Sequence, residues 1–312
     1  MSMNPGIRKS LKILELPQEM RAVEALQRLV WPGSETDVVP LHMLVTAAHN
    51  GGLVIGSLIG SRLAEQAGVE IPRIEGTSSC LVGFVFGFPG LYFTPDGPRP
   101  KHCSQELGVH PGFRDQGLGF ALKRAQWQMV RRQGLDLITW TYDPLQSRNA
   151  MLNIHKLGGV CNTYLREVYG EMQDGLNAGL PSDRFQVDWW VNTQRVNRRL
   201  SKKARGPLDL AHYLAAEVII VNSAREGPGD WPRPAERSQM PAPGASMVLV
   251  EIPSDIQGMK AAEPGLALEW RLHTRELFEG LFAGGYIVTD FVYLPGSHPR
   301  SYYVLSHGEA SL

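Results

Sequence analysis

The chain has 312 residues, 43% of them hydrophobic, and carries 31 basic and 31 acidic side chains. That length suits one large domain or two modest ones, and that apolar content supports a real core. Balanced charge excludes a general pull toward nucleic acid or an anionic membrane, so the expected partners are small molecules or copies of the chain itself, as in a homodimer. Cys80, Cys103 and Cys161 are three, an odd number, with no C-x-x-C spacing. They argue for a reducing compartment and against a zinc site or a disulfide scaffold, so no metal is expected and each reads as a small buried residue. The opening Met-Ser-Met-Asn-Pro-Gly lacks an apolar signal core and no window is long enough to span a bilayer, which makes a soluble cytoplasmic protein the expectation.

Residues 11–16 alternate and read as a strand, and 17–30 carries helical spacing in Met20, Val23, Leu26, Leu29 and Val30 before Trp31-Pro-Gly33 ends it. A short helix is expected over 40–49, then a strand through Ser57. About twenty polar and charged residues separate that strand from the next, 80–88, too many for a hairpin turn, and they are expected to be partly exposed. A strand ending at Val109 then turns through Arg114-Asp115-Gln116-Gly117-Leu118-Gly119 into a helix running to Arg132. A β-branched and aromatic strand follows over 136–142, then Asp143-Pro-Leu-Gln-Ser-Arg-Asn149 and a short helix through Lys156, stopped by Gly158-Gly159. Strands are expected at 160–169 and 185–191.

A strand that turns through glycines into a helix is a place where backbone amides and a positive helix end can hold a phosphate. Gly117 and Gly119 allow close approach of a ligand and Arg114 supplies a cation; the bland alternative is a tight turn with close helix packing. Neither G-x-G-x-x-G nor G-x-x-x-x-G-K-[ST] is present in this loop. The R/Q-x-x-G-x-G/A spacing of Arg114, Gly117 and Gly119 resembles the acetyl-CoA pyrophosphate loop of the Gcn5-related N-acetyltransferases (GNAT). The order of elements over about residues 10–191 resembles the same family. The resemblance implies an α/β (α+β) fold, a mixed central sheet flanked by helices, with 1–192 as an acyl-CoA-dependent transferase domain. It also implies that Leu107, Val109 and the residues Arg114, Asp115, Gln116, Gly117, Leu118 and Gly119 hold acetyl-CoA or another acyl-CoA, with Ser147 and Asn149 as further contacts to its pantetheine arm or phosphates. Within the family the amide of Val109 would sit by the thioester oxygen.

Acyl transfer to an amine also needs a base and a proton for the departing thiolate. Glu106, on the strand ending at Val109, is the nearest base; the alternative is an outward-facing strand carboxylate. Asp143 is the second choice, at the C-terminal end of a strand, though Asp before Pro also starts ordinary turns. Many members of the family use a tyrosine as acid in the helix before Gly158; counting back puts Ile154 there, so Tyr164 or Tyr169 would have to substitute, or solvent would protonate the thiolate. On the acceptor side the long polar segment 169–184 offers Asp183 for an amino group and Arg184 for a carboxylate, or an Asp-Arg turn closed on itself. Arg271 and Arg275 could hold a second anion, but Glu269, Glu276 and Glu279 on the same segment favour a helix salt-bridge network.

Residues 193–312 read as a C-terminal mixed α/β extension. It opens with six cations in positions 195–205, either a solvated helix face or a rim that attracts phosphates, and it includes a proline-rich loop over 226–244. Strands are expected at 217–222, 247–252, 286–293 and 301–305, with a helix from about Asp255 or Pro264 to Ala283. The wording around Trp140, Asn149, Lys156 and Leu180 resembles a branch of the family with an added C-terminal unit, some relatives of which are associated with N-acylation of amino acids. The expected activity is therefore transfer of an acetyl or succinyl group from acyl-CoA to a small-molecule amine or amino acid. A non-catalytic acyl-CoA-binding module is the alternative, and a nucleotide-dependent enzyme of Rossmann type the third.

Overall fold

A proline at the first helical position loses nothing, because its missing N–H would have no partner there. Pro17 opens α1 (Pro17–Val30), which follows β1 (Ser10–Ile13) and buries Met20, Val23, Leu26 and Val30 on one face. The computed structural model describes residues 10–33, 35–172, 174–175, 177–201, 208–227, 229–242 and 244–308. The opening Met-Ser-Met-Asn-Pro-Gly, the second half of the basic run (Lys202, Lys203, Arg205), Pro228 and Pro243 lie outside the described residues. By packing, the chain divides into two compact units, 1–139 with 173–175, and 140–172 with 176–312.

The first unit continues with α2 (Leu41–His49), β2 (Leu53–Gly60), α3 (Ser61–Ala67), β3 (Ser79–Thr94), β4 (Gly97–Val109), α4 (Leu118–Arg132) and the start of β5 (Leu137–Tyr142). Its sheet runs β1-β2-β3-β4-β5, antiparallel through β4, with β5 parallel to β4 through His102–Ile138 and Cys103–Thr139. One face packs on α1 and α2 through Leu14, Leu26, Leu44, Phe84 and Phe86; the other meets α4 through Ile55, Val85 and Leu122. The mixed sheet flanked by helices is the expected fold class. The twenty-residue insertion is more ordered than its polarity suggested: it holds α3 and buries Ala64, Ile71 and Ile74.

β3 outruns its expected end at residue 88. Beyond the last β2 pair, Leu53–Gly87, residues 88–94 continue with 97–101 of β4 as a two-stranded ribbon closed by Pro95-Asp96. Pro89, Pro98 and Pro100 fall in the alternate pairs Pro89–His102, Leu91–Pro100 and Phe93–Pro98. Proline can stand in a ladder only where its nitrogen points away from the partner strand, so prolines cost this ribbon no rungs. Leu91 and Phe93, at 57% and 82% exposure, stand on its apolar face.

The second unit has α5 (Ser147–Ala150), a π-helical turn at Met151–Lys156, β6 (Val160–Leu165), β7 (Arg184–Trp190), α6 (Gln194–Leu200), α7 (Leu210–Ala215) and β8 (Ile219–Ile220). β9 (Met247–Ile252), α8 (Ile256–Ala262), α9 (Pro264–Ala283), β10 (Tyr286–Leu294) and β11 (Arg300–His307) complete it. Its strand order is β7-β6-β10-β11-β9-β8. β10 pairs with β6, and Phe185 and Val187 of β7 share one core with Trp270, Phe278, Val288 and Tyr303. The contacts therefore divide the chain before residue 140, whereas the sequence pattern changes at 192. Residues 193–312 build on the strands that precede them. The described part of 226–244 forms neither helix nor strand.

Candidate active site

The end of β4 sets the geometry of the glycine loop. The His110 N–H bonds to the Val82 carbonyl at 3.0 Å, across the pair Gly83–Val109. In an antiparallel ladder this makes Gly83–Val109 a non-hydrogen-bonded pair, so the N–H of Val109 points away from β3, toward the β5 side of β4. The same alternation applies two residues back at Leu107, opposite Val85. The side chains of Leu107 and Val109 meanwhile pack under α4.

Past Val109 the chain makes one short turn at Pro111–Phe113 and reaches Asp115 and Gly117, both left-handed, at φ 63° and 75°. Gly117 then caps α4, and a Cβ added there would meet nothing within 4 Å. A left-handed residue followed by a right-handed helix start aims successive amides into one concavity, and the first N–H groups of α4 have no partner inside the helix. Arg114 is exposed; its Nε lies 3.4 Å from the Val109 carbonyl and an Nη lies 3.5 Å from that of Val30. Gly119 is helical and Leu118 is buried, so these two offer the cradle their backbones alone. The open cradle, the first N–H groups of α4 and the positive helix end fit a pyrophosphate.

Glu106 sits on the same strand, opposite Phe86, beside a bulge at Gln105 created where the register slips between Phe86 and Gly87. Paired residues share a face, and Phe86 belongs to the core under α1 and α2, so the carboxyl of Glu106 lies on that face. One of its oxygens, Oε2, is buried without a hydrogen-bond partner. Burial pushes its pKa up to about 7. The alternative of an outward-facing carboxylate does not describe it.

The candidates of the second unit are committed elsewhere. Asp143 accepts from the Leu145 N–H at 2.8 Å, closing its turn, and lies 2.7 Å from an Nη of Arg271, which is fully buried. Its structural alternative is the one realised. Tyr164 donates to Asp183 at 2.7 Å, and burial raises its hydroxyl further above the usual tyrosine range. That proton is held by a carboxylate, which corrects the acid role considered for Tyr164. Tyr169 bonds to Thr141. Asp183 is buried and accepts from Tyr164, from the Glu167 N–H and from Arg275 by two bonds of 2.8 and 2.9 Å. Burial alone would raise its carboxyl, but these bonds outweigh burial and hold it below the ordinary range. A substrate amine would have to displace a bidentate guanidinium, so the proposed amine contact of Asp183 is corrected too.

Arg184 is equally occupied, by the Asp183 carbonyl, Asn177 and Met172, over the ring of Tyr169. It clamps the 169–184 segment, which leaves it no fork for a carboxylate. Arg271 and Arg275 pair with Asp143 and Asp183, and Glu279 with Arg166, in place of the helix network expected among Glu269, Glu276 and Glu279. The Ser147 hydroxyl bonds to Ser301 at 2.8 Å, and Asn149 is exposed. Ile154, where a tyrosine would stand, is buried in the core on the π-helical turn.

His110 was the residue missed. It precedes Pro-Gly, where an acceptor side chain can cap a turn, and that local signal was available. Its Nδ1 accepts from the Gly112 N–H at 3.1 Å and its Nε2 lies 2.8 Å from the Glu70 carbonyl.

No family model matches the chain and no curated protein sequence matches it. Solved structures with a similar chain path include the ribosomal-protein-S18-alanine N-acetyltransferase of Escherichia coli, at 12% identity over 59% of this chain and 95% of that one, with a TM-score of 0.40. Arabidopsis thaliana NAA60 in complex with acetyl-CoA matches at 16% identity over 58% of this chain and 99% of its own, TM-score 0.42. An IAA acetyltransferase from Bacillus cereus matches at 14% over 58% and 99%, TM-score 0.37. At such identities and scores the chemistry of this chain has to be argued from its own residues.

Proposed function

We propose that the chain is a coenzyme A-dependent N-acyltransferase of the GNAT type, moving an acyl group from its thioester to the amine of a small molecule or amino acid. The observation that carries this is the end of β4. One strand turns the Val109 amide away from β3, carries at Glu106 a half-buried carboxyl whose Oε2 is without a hydrogen-bond partner, and runs directly into the left-handed Gly117 cradle at the start of α4.

The amides from Gly117 into the first turn of α4 would take the pyrophosphate, with the guanidinium of Arg114 adding positive charge at the mouth. The Val109 N–H would donate to the thioester oxygen as negative charge develops there, a donor worth about 3 kcal/mol in the transition state. Glu106 takes a proton from the ammonium of the acceptor, on the sheet face covered by α1 and α2. The freed amine attacks the carbonyl carbon and the C–N bond forms; the nitrogen, now cationic, gives its second proton to solvent as the C–S bond breaks and the thiolate leaves. With Ile154 in the core and the Tyr164 proton bound to Asp183, solvent supplies the proton that the thiolate takes up, which a thiol of ordinary acidity permits.

Titration with CoA, acetyl-CoA and succinyl-CoA, coupled to a free-thiol assay over a panel of amines and amino acids, tests the reading. Gly117→Glu is the informative variant, since a Cβ there meets nothing within 4 Å and the carboxylate brings negative charge to the cradle, at a backbone cost of about 1–2 kcal/mol for the left-handed φ of 75°. The expected outcome is loss of CoA binding with an unchanged fold; unaltered affinity would refute the site. The absent family tyrosine favours a second reading, a non-catalytic acyl-CoA-binding module, and tight binding with no thiol release on any acceptor would select it.

A further inference from the structure

We infer that His110 is a positioning residue that, together with the 61–74 insertion, presets the phosphate loop before any coenzyme arrives. This rests on the coenzyme reading of that loop and adds a role for the insertion, which that reading leaves without one.

The Gly112 N–H can only donate, so Nδ1 of His110 must be the bare acceptor nitrogen of a neutral ring; Nε2 then carries the hydrogen and donates to the Glu70 carbonyl. One ring thus joins two backbone segments separated by 40 residues. It is 5% exposed, its own N–H is held by Val82, its carbonyl accepts from the Phe113 N–H at 2.8 Å, and its edge meets the ring of Phe113 at 5.6 Å between centroids. Apolar packing makes the same connection. Ala64 and Ile71 of the insertion share a small core with Phe113 and Leu118, the residues on either side of the cradle. A Cβ at Gly112 would touch Val69 at 3.7 Å. A loop fixed in its binding shape spends no affinity on ordering itself when the ligand binds.

Three substitutions separate the two hydrogen bonds. Asparagine can place its Oδ1 near the position of Nδ1 and keep the turn closed on Gly112, as Asn commonly does two residues ahead of an amide. Glutamine is long enough to reach the Glu70 carbonyl but cannot close that turn, and alanine does neither. We expect H110A and H110Q to weaken CoA binding by about five- to ten-fold, the range for losing one such bond, while H110N stays within about two-fold of the parent. Amide hydrogen exchange at Gly112 follows the same order without any coenzyme, fast in the alanine and glutamine variants and slow in the parent and H110N. Parental affinity in H110A, or equal behaviour of H110N and H110Q, overturns the inference. If H110A does not fold, the asparagine and glutamine variants still decide it. Failure of the parent chain to bind CoA at all overturns the coenzyme reading and this role with it, whereas protection at Gly112 that ignores residue 110 overturns the positioning alone.

Discussion

Glu106 is built so that activity and stability pull in opposite directions. Its pKa in the folded chain is pushed up to about 7 from an ordinary value of 4.5, so the stabilising form is the protonated one. That contribution is complete below pH 4.5 and is lost as pH rises through about 7, because over this window the folded state binds the proton better than the unfolded state does. The proposed role as base needs the other form. The rate is expected to rise through pH about 7 in the parent, and E106Q to lower kcat/KM by about 100- to 1,000-fold. The same variant should be more stable than the parent at pH 8, by on the order of 1–3 kcal/mol in urea denaturation, and equal to it near pH 4. At this scale, what was legible in the sequence was local. Glu106, Val109 and Gly117 are placed by their own strand and turn, and their placement followed from neighbours in the chain. Tyr164, Asp183 and Arg184 were legible as residues but not in their roles. Arg275 reaches Asp183 across 92 positions, and no spacing rule connects them.

Elements were readable where one physical signal ruled. α1 was expected at 17–30 and spans those residues, because its period and its Pro17 agree; β9 likewise coincides with an apolar run. Proline marks two element ends. The strand expected to stop at residue 88 runs on because the edge left open by β2 accepts Pro89, and of the two starts offered for the last helix Pro264 opens α9 while Asp255 caps a separate α8. The contact of α4 with β4 hides a feature that periodicity could not reveal. Lys123 is buried and donates to Ser104 at 3.0 Å and Gln126 at 2.8 Å, and Gln126 reaches on to His102. Burial holds its pKa well below the usual lysine value. The unfolded chain therefore binds this proton more readily than the folded one, and stability should rise with pH from neutrality toward the ordinary lysine pKa of about 10.4. In Lys123→Met that slope should disappear. Ser104 and Gln126 remain bonded to each other at 3.1 Å, so the variant should also gain stability at pH 7, by on the order of 1 kcal/mol, seen as a higher melting temperature.

For the whole molecule, the decisive contacts are those that make residues 140–191 dependent on the C-terminal strands and helices. Phe185 of β7 lies 4.7 Å from Phe278 of α9 and 5.5 Å from Tyr303 of β11, ring to ring. A fragment ending at residue 192 would expose that core and leave β6 without β10, so its residues 160–190 should lose amide-exchange protection while those of the first unit keep it; protection retained over 160–190 would show that the sequence boundary is also a folding boundary. The ribbon of residues 88–101 has a consequence of another kind. Leu91 and Phe93 stand in the open on a strand pair whose outer rim, on the β4 side, has prolines at 98 and 100 where outward N–H groups would be. A neighbouring chain meeting that rim in a crowded solution finds no row of donors to zip onto. The prolines that interrupt a strand pattern on paper close the β4 edge of this oily ribbon to strand addition.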